Sequence, residues 1–167
     1  IIRAVIVIVK EIIRRGYNLK EKRQHLTAHA EIISIREAAK KVGSWRLNDC
    51  ELFVTLEPCP MCIGAMIQAR IKRLVFAAYD PKGGAVGSLY NLSTDKRFNH
   101  TIDVKGGFMA KKSSEILVVT GVISNLGSVI PLTYKTLTNK GSIMPAIKNF
   151  ACIFFLPNCF LKQVAHK

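Results

Sequence analysis

Residues 51–71 read ELFVTLEPCPMCIGAMIQARI, and this stretch joins a buried strand to a helix. The apolar residues of 51–56 predict a strand, which the following Glu-Pro pair ends. A helix is expected over Pro60–Arg70, because proline is tolerated at the first position of a helix. Cys59 and Cys62 then lie on one face, at the start of that helix.

The segments around this stretch alternate between strands and helices. A helix is expected over Ala28–Val42, because Thr27 is a good N-cap and Gly43 ends it. The polar, basic segment 19–26 is expected to be a loop. Further strands are expected at 4–9, 11–16, 74–78 and 101–104, and a helix after 106–107. The fold class predicted by this alternation is α/β, a three-layer α/β/α sandwich.

A carboxylate lies on the face of the first long helix that should be buried. Glu31 is four residues before Ile35 and shares its apolar stripe, where a charge is costly unless something compensates it. His29 precedes it at the helix start. Because the starts of same-side helices meet at one edge of a sheet, we expect His29 beside Cys59 and Cys62.

This group of side chains has the composition of a catalytic zinc site. One imidazole and two thiolates provide three ligands of a tetrahedral zinc and leave one position for water. Zinc lowers the pKa of that water to about 7, and Glu31 beside it could carry its proton to a substrate. His29, Glu31, Cys59 and Cys62 also match the H-x-E…P-C-x-x-C signature of zinc deaminases.

Two other interpretations of the C-x-x-C pair stay open. A structural zinc would need a fourth protein ligand, and the remaining candidates, His25, Cys50 and His100, do not form a second close pair. A redox pair would leave the His-x-Glu spacing unexplained.

The composition favours a polyanionic partner in a reducing compartment. Lys and Arg number 25 against 11 Asp and Glu, a formal charge of +14, which suits nucleic acid or an anionic membrane surface. The cysteines number five, an odd count, and no signal-peptide pattern opens the sequence, so a cytoplasmic location is expected. Residues 116–134 carry no charge, but their glycines and polar residues argue against a membrane span.

Longer segments of the sequence resemble a known protein family. The segments RGYN (15–18), TAHAEI (27–32), VTLEPCPMCIGAMIQARI (54–71) and AAYDPKGGAVGSLYNL (77–92) are similar to bacterial tRNA-specific adenosine deaminases of the cytidine/deoxycytidylate deaminase superfamily. The resemblance covers roughly residues 2–116. It implies a cytidine deaminase-like fold with a mixed sheet, Zn2+ as cofactor, and conversion of the wobble adenosine of a tRNA anticodon to inosine.

The resemblance also implies roles at the centre of the site. His29, Cys59 and Cys62 would hold zinc, and a zinc-bound hydroxide would attack C6 of adenine. Glu31 would move protons from the water to N1 and to departing ammonia. The N–H of Ala30 and the carbonyl of Pro58 would grip the reacting edge of the base.

For the outer residues, the resemblance competes with plainer interpretations. Asn18 would hydrogen-bond the adenine, or it caps a turn. Asp80 would approach the ribose, or it starts a turn. Lys82 would contact the RNA backbone, or it is a solvated lysine. Asn99 and His100 would line the anticodon groove, although His100 could equally be a core or surface histidine.

The sequence departs from the family at both ends. The family has an N-terminal helix before the first strand, so a shortened N-terminus is expected here. The match stops near residue 116, which predicts a deaminase domain over 1–116 and an atypical tail over 117–167 of uncertain structure.

The sequence therefore predicts a zinc-dependent tRNA adenosine deaminase that acts on an anticodon stem-loop as a homodimer. Single-stranded loops suit this chemistry because their bases flip out at low cost. The alternatives are a deaminase of free guanine or cytosine, and a catalytically decayed, zinc-stabilised RNA-binding module.

Overall fold

The structure is a computed structural model that describes residues 2–119. Five strands form one sheet in the order β2-β1-β3-β4-β5. β1 is antiparallel to both β2 and β3, whereas β3, β4 and β5 run parallel, so the sheet is mixed. The strands are β1 Arg3–Ile8, β2 Glu11–Tyr17, β3 Cys50–Leu56, β4 Arg73–Ala78 and β5 Asp103–Lys105.

Four helices accompany the sheet in the described part of the chain. They are α1 Lys20–Arg23, α2 Ala30–Val42, α3 Pro60–Gln68 and α4 Ala110–Val119. α2 packs on β1 and β2 and contacts α3, while α4 packs on β4. The core includes Ile6, Leu52, Ile63 and Met66, all fully buried. The predicted α/β fold with a mixed sheet is thereby confirmed.

The connection β3–α3–β4 decides where chemistry can occur. Two parallel neighbouring strands require a crossover, and α3 provides it. The N-terminus of α3 therefore lies at the carboxyl edge of the sheet, where open α/β sheets bind ligands.

Two predictions around α2 are wrong in detail. The expected loop 19–26 contains the short helix α1, which buries no residue, so no apolar stripe could reveal it. The N-cap of α2 is His29, two residues after the expected Thr27. The backbone N–H and the hydroxyl of Thr27 bond to Nδ1 of His25 instead.

The turn between β1 and β2 has an unusual sequence for its shape. Val9 and Lys10 form a two-residue connection, and both have left-handed φ values, 46° and 69°. Such a turn normally uses Asn-Gly or Asp-Gly, because other residues are strained there.

Two other sequence predictions concern the domain boundary and membrane-spanning segments. α4 runs through the predicted domain boundary at residue 116, and of the predicted tail only residues 117–119 are described. Across residues 2–119, no helix has the length and hydropathy needed to cross a membrane.

Candidate metal centre and active site

The first residues of two helices bring three potential ligands together. His29 is the N-cap of α2 and Cys59 is the N-cap of α3, yet neither side chain caps its own helix. Cys62 lies one turn into α3 and is fully buried. The donor atoms of the three side chains all lie within 4.8 Å of one another. The structure thus confirms the proximity predicted from the sequence.

The spacing of these atoms fits a tetrahedral metal. His29 Nδ1 lies 3.8 Å from Cys59 Sγ and 3.6 Å from Cys62 Sγ. Zinc bonds of about 2.3 Å to sulfur and 2.0–2.1 Å to nitrogen place tetrahedral ligands about 3.6 Å apart. No fourth His, Cys, Asp or Glu joins the cluster among the described residues. The donor set therefore fits zinc with one open position.

The two thiols shift each other's pKa in opposite directions. A hydrogen bond from the Cys62 thiol, followed by backbone N–H groups and His29, lowers the pKa of Cys59 to about 5. The same hydrogen bond, together with burial and the nearby Glu31, raises the pKa of Cys62. Because the thiolate is the form that binds a metal, the lowered pKa of Cys59 favours a metal ligand at this position.

Glu31 is buried beside the cluster, as the sequence predicted. Its side chain is only 4% exposed, and Oε2 has no hydrogen-bond partner among the described residues. Burial raises the pKa of Glu31 to about 7, because a charged carboxylate is costly away from water. A buried oxygen without a partner is expensive unless a ligand satisfies it.

A glycine on the sheet lets α2 approach closely enough to place these groups. A Cβ at Gly16 would lie 2.1 Å from the carbonyl oxygen of Ala30 and 2.4 Å from Oγ of Ser34. That oxygen of Ala30 accepts a hydrogen bond from the Ser34 hydroxyl at 2.5 Å. Gly16 of β2 therefore fixes the distance between the sheet and the helix that carries His29 and Glu31.

Glu57, two residues before Cys59, is a buried carboxylate that the sequence analysis did not identify. The sequence indicates only the end of a strand, but the structure buries this carboxylate to 2% exposure. It accepts hydrogen bonds from the backbone N–H groups of Asp80, Val86 and Ser88, and from the Ser88 hydroxyl. The partners lie 23 to 31 residues away, so no local pattern could reveal them.

The residues expected to grip the base lie at the two helix starts. Ala30 is the first residue of α2, where the helix itself leaves backbone N–H groups unsatisfied. The carbonyl of Pro58 accepts a hydrogen bond from the N–H of Ala85 at 2.9 Å, which uses one of its two lone pairs. Their substrate roles stay predictions.

Asn18 and Asp80 both hold local backbone turns. Oδ1 of Asn18 accepts a hydrogen bond from the N–H of Lys20, so its amide Nδ2 is the group left to meet a base. Oδ1 of Asp80 accepts from the N–H groups of Lys82 and Gly83. The turn interpretations thus describe these side chains, and the substrate roles of Asn18, Asp80 and Lys82 stay predictions.

Asn99 and His100 lie at the other end of α3. Asn99 uses its carbonyl to bind the Arg70 guanidinium, and the His100 ring bonds through Nε2 to the carbonyl of Ile71. The 12 residues from Cys59 to Arg70 are mostly helical and correspond to a rise of about 16 Å. The structure does not bring these two residues to the metal cluster, and their place in an RNA groove stays a prediction.

Comparison with known proteins agrees with this geometry. Residues 1–114 match the family model of MafB19-like deaminases. A tRNA-specific adenosine deaminase of Bacillus subtilis is 49% identical over 116 residues, which are 70% of this chain and 72% of the relative. The chain belongs to the tRNA-specific adenosine deaminase family. The resemblance inferred from the sequence motifs is confirmed.

Solved structures of two deaminases are similar to this chain. One from a study of A-to-I editing by tRNA:A34 deaminases is 44% identical, with a TM-score of 0.67, covering 70% of this chain and 84% of that one. A guanine deaminase of Nitrosomonas europaea is 24% identical, with a TM-score of 0.59, over 73% of each chain, and shares the fold alone.

Proposed function

We propose that this chain hydrolyses adenosine to inosine at the wobble position of tRNA, releasing ammonia. The observation that carries the proposal is the buried Glu31 Oε2 beside the His29–Cys59–Cys62 cluster, an oxygen without a hydrogen-bond partner within residues 2–119. A structural zinc site has no use for such a group, whereas a hydrolytic deaminase requires a proton carrier beside its metal. Relatives with this family's name support adenosine as the base.

Each residue of the cluster has a defined part in the reaction. His29, Cys59 and Cys62 hold zinc, which when bound supplies a Lewis acid that activates water. Glu31 takes a proton from the attacking water and passes it to N1 of adenine. It then takes a second proton from the new C6 hydroxyl and gives it to the C6 amino group, which leaves as ammonia when the C6–N bond breaks.

The groups around the cluster orient the base. The N–H of Ala30 and the carbonyl of Pro58 face the reacting edge, and Nδ2 of Asn18 donates to the ring. Asp80 and Lys82 meet the ribose and the backbone of the flipped nucleotide. Asn99 and His100 line the groove for the anticodon loop, supported here only by the family resemblance.

The partner we propose is the anticodon stem-loop of a tRNA. The formal charge of +14 supports a polyanionic substrate, and bases of unpaired loops flip at low cost. We also propose that the chain works as a homodimer in the cytoplasm, by analogy with the family. Thiolate ligands suit a reducing compartment, and Cys50, Cys59 and Cys62 are all free.

The free-base alternative and the decayed-module alternative are tested by one assay. Zinc-loaded protein is incubated separately with an anticodon stem-loop, with guanine and with cytosine, and products are measured by mass spectrometry. We expect inosine in the RNA and no product from either free base. Turnover of guanine or cytosine without inosine would support the free-base alternative, and zinc and RNA binding without any product would support the decayed module.

A further inference from the structure

We propose that Glu57 is a positioning residue that sets substrate affinity by fixing the loop 80–88. This inference rests on the proposed function, because it assigns this loop to substrate contact. Glu57 is two residues before Cys59, so a loop fastened to it is held in register with the metal cluster.

In the described part of the chain, every hydrogen bond that the Glu57 carboxylate accepts comes from this loop. One oxygen, Oε1, accepts from the N–H groups of Val86 and Ser88, both at 3.0 Å. The other, Oε2, accepts from the N–H of Asp80 at 3.0 Å and from the Ser88 hydroxyl. Glu57 therefore clasps both ends of the loop.

The backbone of the loop is closed around this carboxylate. A Cβ at Gly84 would lie 2.3 Å from the Glu57 carboxyl carbon, far inside contact distance. The N–H of Ala85 bonds to the carbonyl of Pro58, adding a fifth tie between the two segments. Gly84 is thus required by the packing of the loop against Glu57.

The directions of the backbone N–H groups in this loop determine which of its atoms can contact a substrate. A glycine-rich loop commonly cradles phosphate with its N–H groups. Here those of Asp80, Val86 and Ser88 point to Glu57, and those of Lys82 and Gly83 point to Asp80. Contacts to RNA therefore fall to side chains, and the position of those side chains depends on the Glu57 clasp.

The Glu57→Gln variant tests the clasp with almost no change in volume. The glutamine amide replaces one acceptor oxygen, which receives two hydrogen bonds, with a donor, so at least one backbone N–H of the loop loses its partner. The matched control is Glu51→Gln in β3, the strand that ends just before Glu57; the Glu51 carboxylate is paired with Arg73 at 3.2 Å and touches no residue of the loop in the described contacts.

Three measurements separate positioning from general stability. We expect Glu57→Gln to keep one zinc per chain, to raise KM for the anticodon stem-loop about tenfold, and to change kcat less than about twofold. Hydrogen exchange of the peptide spanning 80–88 should accelerate in Glu57→Gln and stay unchanged in Glu51→Gln. Equal KM values for the two variants, or unchanged exchange in Glu57→Gln, would overturn the proposal.

A second pair of substitutions tests the contact between Glu57 and the loop by changing Gly84 first. Gly84→Ala should raise KM, because its Cβ displaces the loop from the carboxylate. Adding Glu57→Asp shortens the acid by one methylene group and should restore part of the lost affinity. Failure of Glu57→Asp to improve the Gly84→Ala variant would contradict the clasp, even if Glu57→Gln proved too unstable to purify.

The exchange measurement keeps this inference distinct from the proposed function. If the wild-type protein forms no inosine in the RNA, the proposed function fails. In that case unchanged exchange after Glu57→Gln also overturns the clasp, whereas accelerated exchange supports it as a device that positions the loop.

Discussion

The side chains at two helix N-caps of this chain, His29 and Cys59, do not cap their own helices. His29 and Cys59 occupy positions where Ser, Thr, Asp or Asn usually satisfies the first N–H groups of a helix. Their side chains face each other, with donor atoms 3.8 Å apart. In the proposed zinc site, the two helix ends would contribute two ligands, and the helix dipole would favour the thiolate of Cys59.

The Cys59→Ala variant should lose the metal and part of the stability that metal binding provides. Zinc-binding energy is coupled to folding, so we expect zinc content to fall from about one per chain to near zero and the unfolding temperature to drop. Metal analysis and thermal unfolding measure both effects. Cys50→Ala is the matched control, since Cys50 is buried and lies outside the cluster. Full zinc retention by Cys59→Ala would contradict the ligand assignment.

At the element scale, the approach of α2 to the sheet depends on Gly16. A Gly16→Ala variant places a Cβ 2.1 Å from a carbonyl oxygen of the helix. We expect it to reduce the free energy of unfolding by about 1–3 kcal/mol, as overpacking does. Gly64→Ala in α3 is the control, because its Cβ would meet nothing within 4 Å. Urea denaturation measures the two changes, and equal effects would show that the Gly16 contact carries no strain.

The hairpin between β1 and β2 offers a stabilising change. Val9 and Lys10 both have left-handed φ values, which Asn and Gly tolerate with less strain. Replacing the pair with Asn-Gly should remove little packing, because Val9 is 83% exposed. We expect a gain of about 1–3 kcal/mol, because the turn type favours that pair. The midpoint of urea unfolding reports the gain. An unchanged or lower midpoint would mean that the turn stores no strain.

Local patterns predict the elements of this fold, whereas long-range contacts decide its details. The β-branched runs and the apolar stripe of α2 are visible in the sequence because each is a short period repeated within one element. The four-residue α1 has no such stripe. Trp45 is 57% exposed, with the Arg46 guanidinium 4.4 Å from its ring centroid, a placement that no such period indicates.

The residues of the candidate site also fall into two groups: those that short motifs predict and those that only the tertiary fold brings together. His29, Glu31, Cys59 and Cys62 could be predicted because two short motifs carry all four residues. The role of Glu57 could not be predicted, because its partners are contributed by a loop that only the tertiary fold brings near. Asp80 and Asn18 show local turn bonds that a sequence allows but does not distinguish from substrate contacts.

At the scale of the whole molecule, the excess of basic residues should make RNA binding sensitive to salt. Each neutralised phosphate releases condensed counterions, so affinity falls as salt rises. We expect Kd for an anticodon stem-loop to rise at least about tenfold between about 50 and about 200 mM salt. Fluorescence anisotropy at several salt concentrations measures the slope. Salt-independent binding would contradict a phosphate-dominated interface.

The most direct test of the account concerns Glu31. Wild-type protein and Glu31→Gln are matched for zinc content, incubated with an anticodon stem-loop, and assayed for inosine by mass spectrometry. We predict conversion by the wild type, and at least about a hundredfold slower conversion by Glu31→Gln at equal zinc content, because the carrier of the proton is gone. Near-normal turnover by Glu31→Gln would contradict the account.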